Sequence, residues 1–456
     1  MLVCVAVQAA VSRIHWGSTH NPLNGLTVSW QSAGLADSIR WGYTASYERG
    51  RFAGVRRADY SGYLYDYAFP AVQPVSTIHF SMYDGSWGAD QTFLTSADTL
   101  AAGFSFIAGG DSRTNMADWQ TISNRMSGIS ADFHLFAGDL VNSGTTTTDW
   151  DAWYAGGTPF LQKHLIYYGL GNHEAGGAIY YNQFVMPAPE SYYSFSFGNS
   201  LFIVLNSEDA GNAAQLSWLR SVLQAARMKW TFIMFHRPFF TVGTHSGEMD
   251  AYFPTWWKLF DSLGVDVILN GHTHQYMRSV PINRDVSTSA GVAEYGSGPG
   301  QGRLEVVAGS YGAPLYACAP AWYAQTCVSV VHYTKWVVSG DTVRMIAVDV
   351  NGNRIDSLTL IKPSAVVASA RSAPAEPKFS ARPNPVSGNS AVTLWGNPGK
   401  PWEAAIFSLD GKILYRGIGK PGSVLRWNPG LLSCGVYLAR FRTDGRESSQ
   451  KIILMR

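Results

Sequence analysis

The hydrophobic rhythm of this 456-residue chain changes three times. From residue 12 to about 98, apolar and polar side chains alternate in short runs. These are Leu26-Thr27-Val28-Ser29-Trp30, Ser38-Ile39-Arg40-Trp41-Gly42-Tyr43, Thr77 to Tyr83 and Gln91 to Thr95, punctuated by Asn21-Pro22, Asn24-Gly25 and Asp84-Gly85. Period-two alternation between turn dipeptides predicts an antiparallel β-sandwich with solvated outer faces. From about 99 to 362 the pattern is mixed. Trp119, Ile122, Met126 and Ile129 fall on one helical face, as do Leu216, Leu219, Leu223 and Ala226, and Trp256, Leu259, Phe260 and Leu263. Apolar runs lie between these segments, and strands alternating with helices predict α/β layers. Residues 363 to 378 are rich in Ala, Ser and Pro and read as a linker. Residues 379 to 456 return to short strands, with Asp410-Gly411 and Asp444-Gly445 as hairpin signals.

Chemistry concentrates at the ends of the apolar runs in the middle region. Phe104 to Ala108 runs into Gly110-Asp111, His134 to Ala137 into Gly138-Asp139, and Tyr167 to Leu170 into Gly171-Asn172-His173-Glu174. Thr231 to Phe235 runs into His236-Arg237-Pro238, and Val265 to Ile268 into Gly271-His272-Thr273-His274. Five strands each deliver Asp, Asn or His at their carboxyl ends, the edge where α/β sheets gather ligands, so one shared site explains the order. Imidazole and carboxylate together suit borderline divalent metals.

Composition narrows the alternatives. The content is 14% charged and 46% hydrophobic residues, with a net charge of +2, and no block of like charge provides a surface for nucleic acid or an anionic membrane. No apolar run approaches the roughly 18 residues that a membrane span needs, so a soluble protein is expected. Residues 1 to 11 read either as a remnant of a secretory signal, without its basic start, or as a first strand. Cys318 and Cys327 are close enough to close a small loop in an oxidising compartment, or they stand as two free thiols; Cys4 and Cys434 have no evident partner.

The ordered series GD, GD, GNHE, H and GHTH resembles the calcineurin-like metallophosphoesterases, and Phe235-His236-Arg237-Pro238 with Gly271 to Tyr276 is most similar to the purple acid phosphatases. The resemblance covers about residues 12 to 362. It implies a fibronectin type III-like sandwich over 12–98, then a four-layer αββα catalytic domain over 99–362, with Leu304 to Ala308 and Val343 to Val348 completing the second sheet. It also implies a binuclear centre of Zn, Mn or Fe. Asp111 and His274 would hold the first metal, Asn172, His236 and His272 the second, and Asp139 would bridge them, because two nearby cations repel unless an anion lies between. Hydrolysis of phosphate monoesters by a metal-bound hydroxide is the expected activity, with a phosphodiesterase or nucleotidase as alternatives. His173 is expected to protonate the leaving oxygen and His245 to face the substrate.

Two positions depart from the family. Where many members carry Asp-x-His, this chain has Asp111-Ser112-Arg113, and Asn142 stands where purple acid phosphatases have a tyrosine. The first metal is therefore one ligand short, with Asn142, Asn115 or water as candidates to fill the gap, and the protein is not expected to be purple. Arg113 is suited to clamp a phosphate oxygen. From another class, a non-catalytic binding protein with a depleted metal site is also compatible. Substrate selection is expected in loops 142–158 and 238–255. Finally, Arg382-Pro383-Asn384-Pro385, Gly435-Val436-Tyr437 and the basic end resemble a type IX secretion sorting domain over 379–456, which implies secretion and the type IX machinery as a partner.

Overall fold

The computed structural model describes residues 11–32, 38–60, 62–98, 101, 103–174, 177–283, 294–295, 301–362, 379–387, 390–396, 399–443 and 446–455. The apolar start 1–10, the segment 363–378 and the Asp444-Gly445 turn lie outside them. The chain divides into two compact units, Met1–Ser364 and Ala365–Arg456. Among the described residues no helix is long and apolar enough to cross a membrane.

The first unit begins with two four-stranded antiparallel sheets. One is ordered Ser12–Asn21, Asn24–Ser32, Gly62–Ala68, Val55–Asp59; the other is Gly50–Ala53, Ser38–Gly42, Thr77–Tyr83, Gln91–Leu94. Their inner faces bury Val28, Trp30, Ile39, Trp41, Ile78 and Phe80 in one core. Trp41 Nε1 donates across that core to Tyr67 Oη at 3.0 Å, so the polar end of the buried indole is satisfied. Four of these strands are the alternating runs of the sequence. The edge segments Gly50–Ala53 and Val55–Asp59 are largely exposed and carry little apolar signal.

The strand Ser12–Asn21 also binds the next layer. Trp16 stacks on Phe93 at 3.8 Å, donates from Nε1 to Gln162 O at 2.9 Å and bridges to Leu165. Tyr167 Oη donates to His20 O, His15 Nε2 lies 2.9 Å from Gln183 O, and Arg13 pairs with Asp59 and Asp151. Sandwich and α/β region accordingly share a hydrophobic core.

Two mixed sheets form the α/β region. The six-stranded sheet runs Ile166–Tyr168, Phe133–Phe136, Gly103–Gly109, His332–Ser339, Thr342–Asp349, Arg354–Ile361. The seven-stranded sheet runs Tyr193–Phe197, Ser200–Val204, Trp230–Met234, Val267–Asn270, Leu304–Ala308, Tyr276–Ser279, Ala324–Val328. The two late runs expected in one sheet are thus divided between both. Rings of Phe106 and Phe133 meet Phe202 edge to face at 5.3 and 5.0 Å, which locks the sheets together. Helices Met116–Met126 and Thr147–Leu161 cover one outer face, while Ala213–Ala225 and Trp257–Ser262 cover the other with Leu219, Leu223 and Phe260. These are the four layers expected. One expectation fails: residues 142–158 are not a loop, because Thr147–Leu161 is a helix that buries Trp150, Trp153 and Phe160.

The second unit is built of a three-stranded and a five-stranded sheet. Trp402, Ile406, Phe441, Ile452 and Leu454 fill its core. The strands Val392–Trp395, Trp402–Phe407, Ile413–Gly419, Gly435–Thr443 and Arg446–Met455 match the runs of the sequence.

Candidate metal centre

Five parallel strands end at one place. Gly103–Gly109 leads to Asp111, Phe133–Phe136 to Asp139 and Ile166–Tyr168 to Asn172 in one sheet; Trp230–Met234 leads to His236 and Val267–Asn270 to His272 and His274 in the other. The chain must turn sharply there to aim these side chains inward. Asp111, Asp139 and His272 have φ values of 61, 54 and 65°, and Thr114 and His245 have 76 and 70°. Such backbone costs about 1–3 kcal/mol per non-glycine residue and persists where surrounding structure enforces it. Neighbouring glycines supply the room. A Cβ on Gly171 would lie 2.3 Å from Asp139 Oδ1, and one on Gly271 would lie 2.3 Å from Asp111 Oδ2.

Asp139 is central. Its Oδ1 lies 3.2 Å from His236 Nε2 and accepts His173 N–H at 3.1 Å, while its Oδ2 accepts Arg113 Nε–H at 3.2 Å. His236 Nδ1 donates to Ala137 O at 2.7 Å, which turns Nε2 toward Asn172 Oδ1 and His272 Nδ1, both at 3.1 Å. Asp139, His236 and His272 thus bring one donor each within 4.8 Å of one another, and Asn172 adds a neutral oxygen. A borderline divalent ion fits this mixed nitrogen and oxygen set. The local field differs between the two histidines. Burial alone would lower His236, but Asp139 and Asp111 raise it to about 10. His272 is pushed down by burial and then by His236 and Arg237.

The opposite side differs. Asp111, Asp139 and His274 also have donors within 4.8 Å. Both Asp111 oxygens accept the His272 backbone N–H, at 2.9 and 3.0 Å. His274 Nδ1 donates to Pro314 O at 2.7 Å, so Nε2 carries the lone pair, and Arg113 Nη2 lies 3.1 Å from it. Burial and Arg113 bring His274 down to about 4. Two of the three donors of this set are therefore already satisfied by Arg113. Both asparagines have partners of their own. Asn115 caps the helix Met116–Met126 through Ala117 N and Asp118 N, and Asn142 Oδ1 accepts from Thr114 Oγ1 at 3.2 Å.

The histidines expected to meet substrate stand at the rim. His173 Nδ1 donates to Asn142 O at 2.5 Å, and its Nε2 faces Asp139 Oδ2 at 3.7 Å. His245 Nδ1 lies 2.6 Å from Glu248 Oε1, and its ring centroid is 4.1 Å from that of His272.

Sequence reasoning gave no role to three participants. Glu174 is buried, and its carboxylate accepts the backbone N–H groups of Asp139, Val141 and Gly171 at 2.9, 3.1 and 3.2 Å; burial and Asp139 raise it to about 8. It holds the two loops that carry Asp139 and Asn172. Glu248 Oε2 lies 3.0 Å from His272 Nε2 and pairs with Arg237, which Glu208 also holds. Tyr316 stacks on His274 at 4.2 Å, a contact no local motif announces. Glu174 had a signal in its place in the GNHE run, and Glu248 in standing three residues after His245.

Residues 104–276 match the calcineurin-like phosphoesterase family. The chain is 28% identical over 209 residues to purple acid phosphatase 18 of Arabidopsis thaliana, covering 41% of this chain and 47% of that protein. It is 24% identical over 240 residues to purple acid phosphatase 22 of the same plant, covering 48% and 54%. The chain thus spans about half the length of the curated relatives it matches. In fold it is similar to a purple acid phosphatase from seeds of yellow lupin (Lupinus luteus), with a TM-score of 0.64 at 16% identity over 79% of this chain and 78% of that one.

Proposed function

We propose that this chain, which carries a calcineurin-like phosphoesterase domain, is a metal-dependent phosphatase that hydrolyses phosphate monoesters. The observation that supports this best is the convergence of Asp139, Asn172, His236 and His272 from four separate loops on one point. Those four residues would hold a divalent ion of the Zn, Mn or Fe class, which supplies Lewis-acid polarisation of a phosphoryl oxygen and acidifies an attacking water. The chain's own groups do the rest. His236 and His274 are oriented by backbone carbonyls, so their Nε2 atoms stay aimed inward. His173 stands with Nε2 over the Asp139 carboxylate and can hold a proton there for the leaving oxygen. His245, tied to Glu248, stands beside His272 and is the second candidate to face the substrate.

The test is turnover of a simple aryl phosphate monoester and the matching diester by purified protein, before and after chelation and re-addition of Zn, Mn or Fe(II). Metal-restored hydrolysis of the monoester, faster than the diester, is expected. Preference for the diester would favour a phosphodiesterase, and bound metal without turnover of either ester would favour a non-catalytic binding protein.

Export belongs to the same proposal. The Cys318–Cys327 disulfide, with Cα atoms 5.9 Å apart, supports an oxidising compartment. The β-rich unit after residue 379, in which Arg382 to Pro385 leads from its first strand to its second, supports type IX sorting, and the N-terminal sandwich supports a fibronectin type III-like reading. Deleting 379–456 should retain the protein inside cells that carry the type IX machinery; unaltered release would refute the sorting role.

A further inference from the structure

We infer that the guanidinium of Arg113 takes the place of the first metal ion, so that the centre holds one exchangeable divalent cation beside one permanent organic cation. The inference rests on the metallophosphoesterase reading above and specifies its metal content. Of the donors on the first side, Asp139 Oδ2 accepts Arg113 Nε–H at 3.2 Å, and the lone pair of His274 Nε2 faces Arg113 Nη2 at 3.1 Å. These are the atoms an ion would need. The geometry assigns the acceptor at His274 without ambiguity, because its other ring nitrogen already donates to Pro314 O.

Arg113 is itself anchored. Its Nη1 donates to Thr114 Oγ1 at 3.2 Å, and that hydroxyl donates to Asn142 Oδ1 at 3.2 Å. The two departures from the family pattern, an arginine two residues after Asp111 and an asparagine three residues after Asp139, are thus ends of one hydrogen-bonded chain. Thr114, in left-handed backbone, joins them. The arginine side chain is only 14% exposed, so it is built into the site rather than lying over it. A guanidinium keeps its proton at any working pH, and its planar fork donates to phosphate oxygens. It supplies positive charge without an exchangeable water. A second divalent ion would have to displace it from both acceptors and then sit against it.

The experiment is metal content per chain by inductively coupled plasma mass spectrometry. Protein is saturated with Zn or Mn and then freed of unbound ion by gel filtration. The wild type is expected to hold one ion, Arg113→His to hold two, and His274→Ala to stay at one. Arg113→His restores an imidazole at the family's position and removes the competing cation. Two ions in the wild type overturn the inference, and so does Arg113→His remaining at one. Loss of an ion in His274→Ala overturns it as well, independently of whether the Arg113 variant folds. A wild type that holds none overturns the phosphoesterase reading itself.

Discussion

The two sides of the centre start from similar donors and reach different ends. On one side His236 Nε2 and His272 Nδ1 face Asn172 and Asp139, and Arg237 reaches only the other ring nitrogen of His272, at 3.3 Å; on the other His274 Nε2 and Asp139 are bridged by Arg113. The strands and glycine turns that deliver the donors are alike. What separates them is a residue beside the donors, so the same donor types leave different atoms open on the two sides.

The comparison breaks most sharply by exchanging the two histidines. His236→Ala should remove bound metal and lower kcat/KM by about 10³-fold or more, since the Lewis acid goes with it. His274→Ala should cost less than about tenfold, because Arg113 keeps its bonds to Asp139 and Thr114. Equal losses in steady-state assays would show that both sides bind metal alike. His173→Ala should lower kcat by about 10²-fold with metal content unchanged, the lower end of general-acid contributions. If a substrate with a good leaving group suffers as much as one with a poor leaving group, His173 does not serve as the acid.

The smallest effect concerns the loop behind the His236 side. Glu305 is buried and accepts Phe239 N–H and Phe240 N–H at 2.9 and 2.7 Å, which fixes the start of the loop carrying His245 and Glu248. Burial raises its carboxyl to about 8 from an ordinary 4.5. The folded state therefore keeps a proton that the unfolded state sheds between those values. Its contribution to stability is full below about pH 4.5 and is lost as pH rises through about 8. Melting temperatures at pH 5 to 8.5 should show the wild type's margin over Glu305→Gln shrinking as pH rises. A constant margin would remove Glu305 as the cause.

Most of the ligand set was legible because chemistry sat at strand ends in a fixed order. Asp111, Asp139, Asn172, His236, His272 and His274 do gather in one place. What the order could not convey was pairing across the sequence. The distance from Arg113 to His274 spans 161 positions, and Tyr316 reaches its stack on His274 from a loop of irregular composition. The helix Thr147–Leu161 was hidden by Gly156, Gly157 and Pro159, residues that ordinarily interrupt helices. The two glycines stand where any Cβ would strike the Trp119 indole at 2.8 and 2.7 Å, so tertiary contact outweighs propensity. In the N-terminal sandwich the exposed edge strands were missed because solvated strands carry little apolar pattern.

The strand Ser12–Asn21 has a practical consequence for anyone dividing the gene. A fragment begun at residue 99 would strip Trp16 from Leu165, leave the Gln162 carbonyl without its indole partner and bare the aromatic surface beneath. The leading ninety or so residues act less as an appendage than as a wall of the enzyme, and the unit to express and design is the whole stretch up to Ser364.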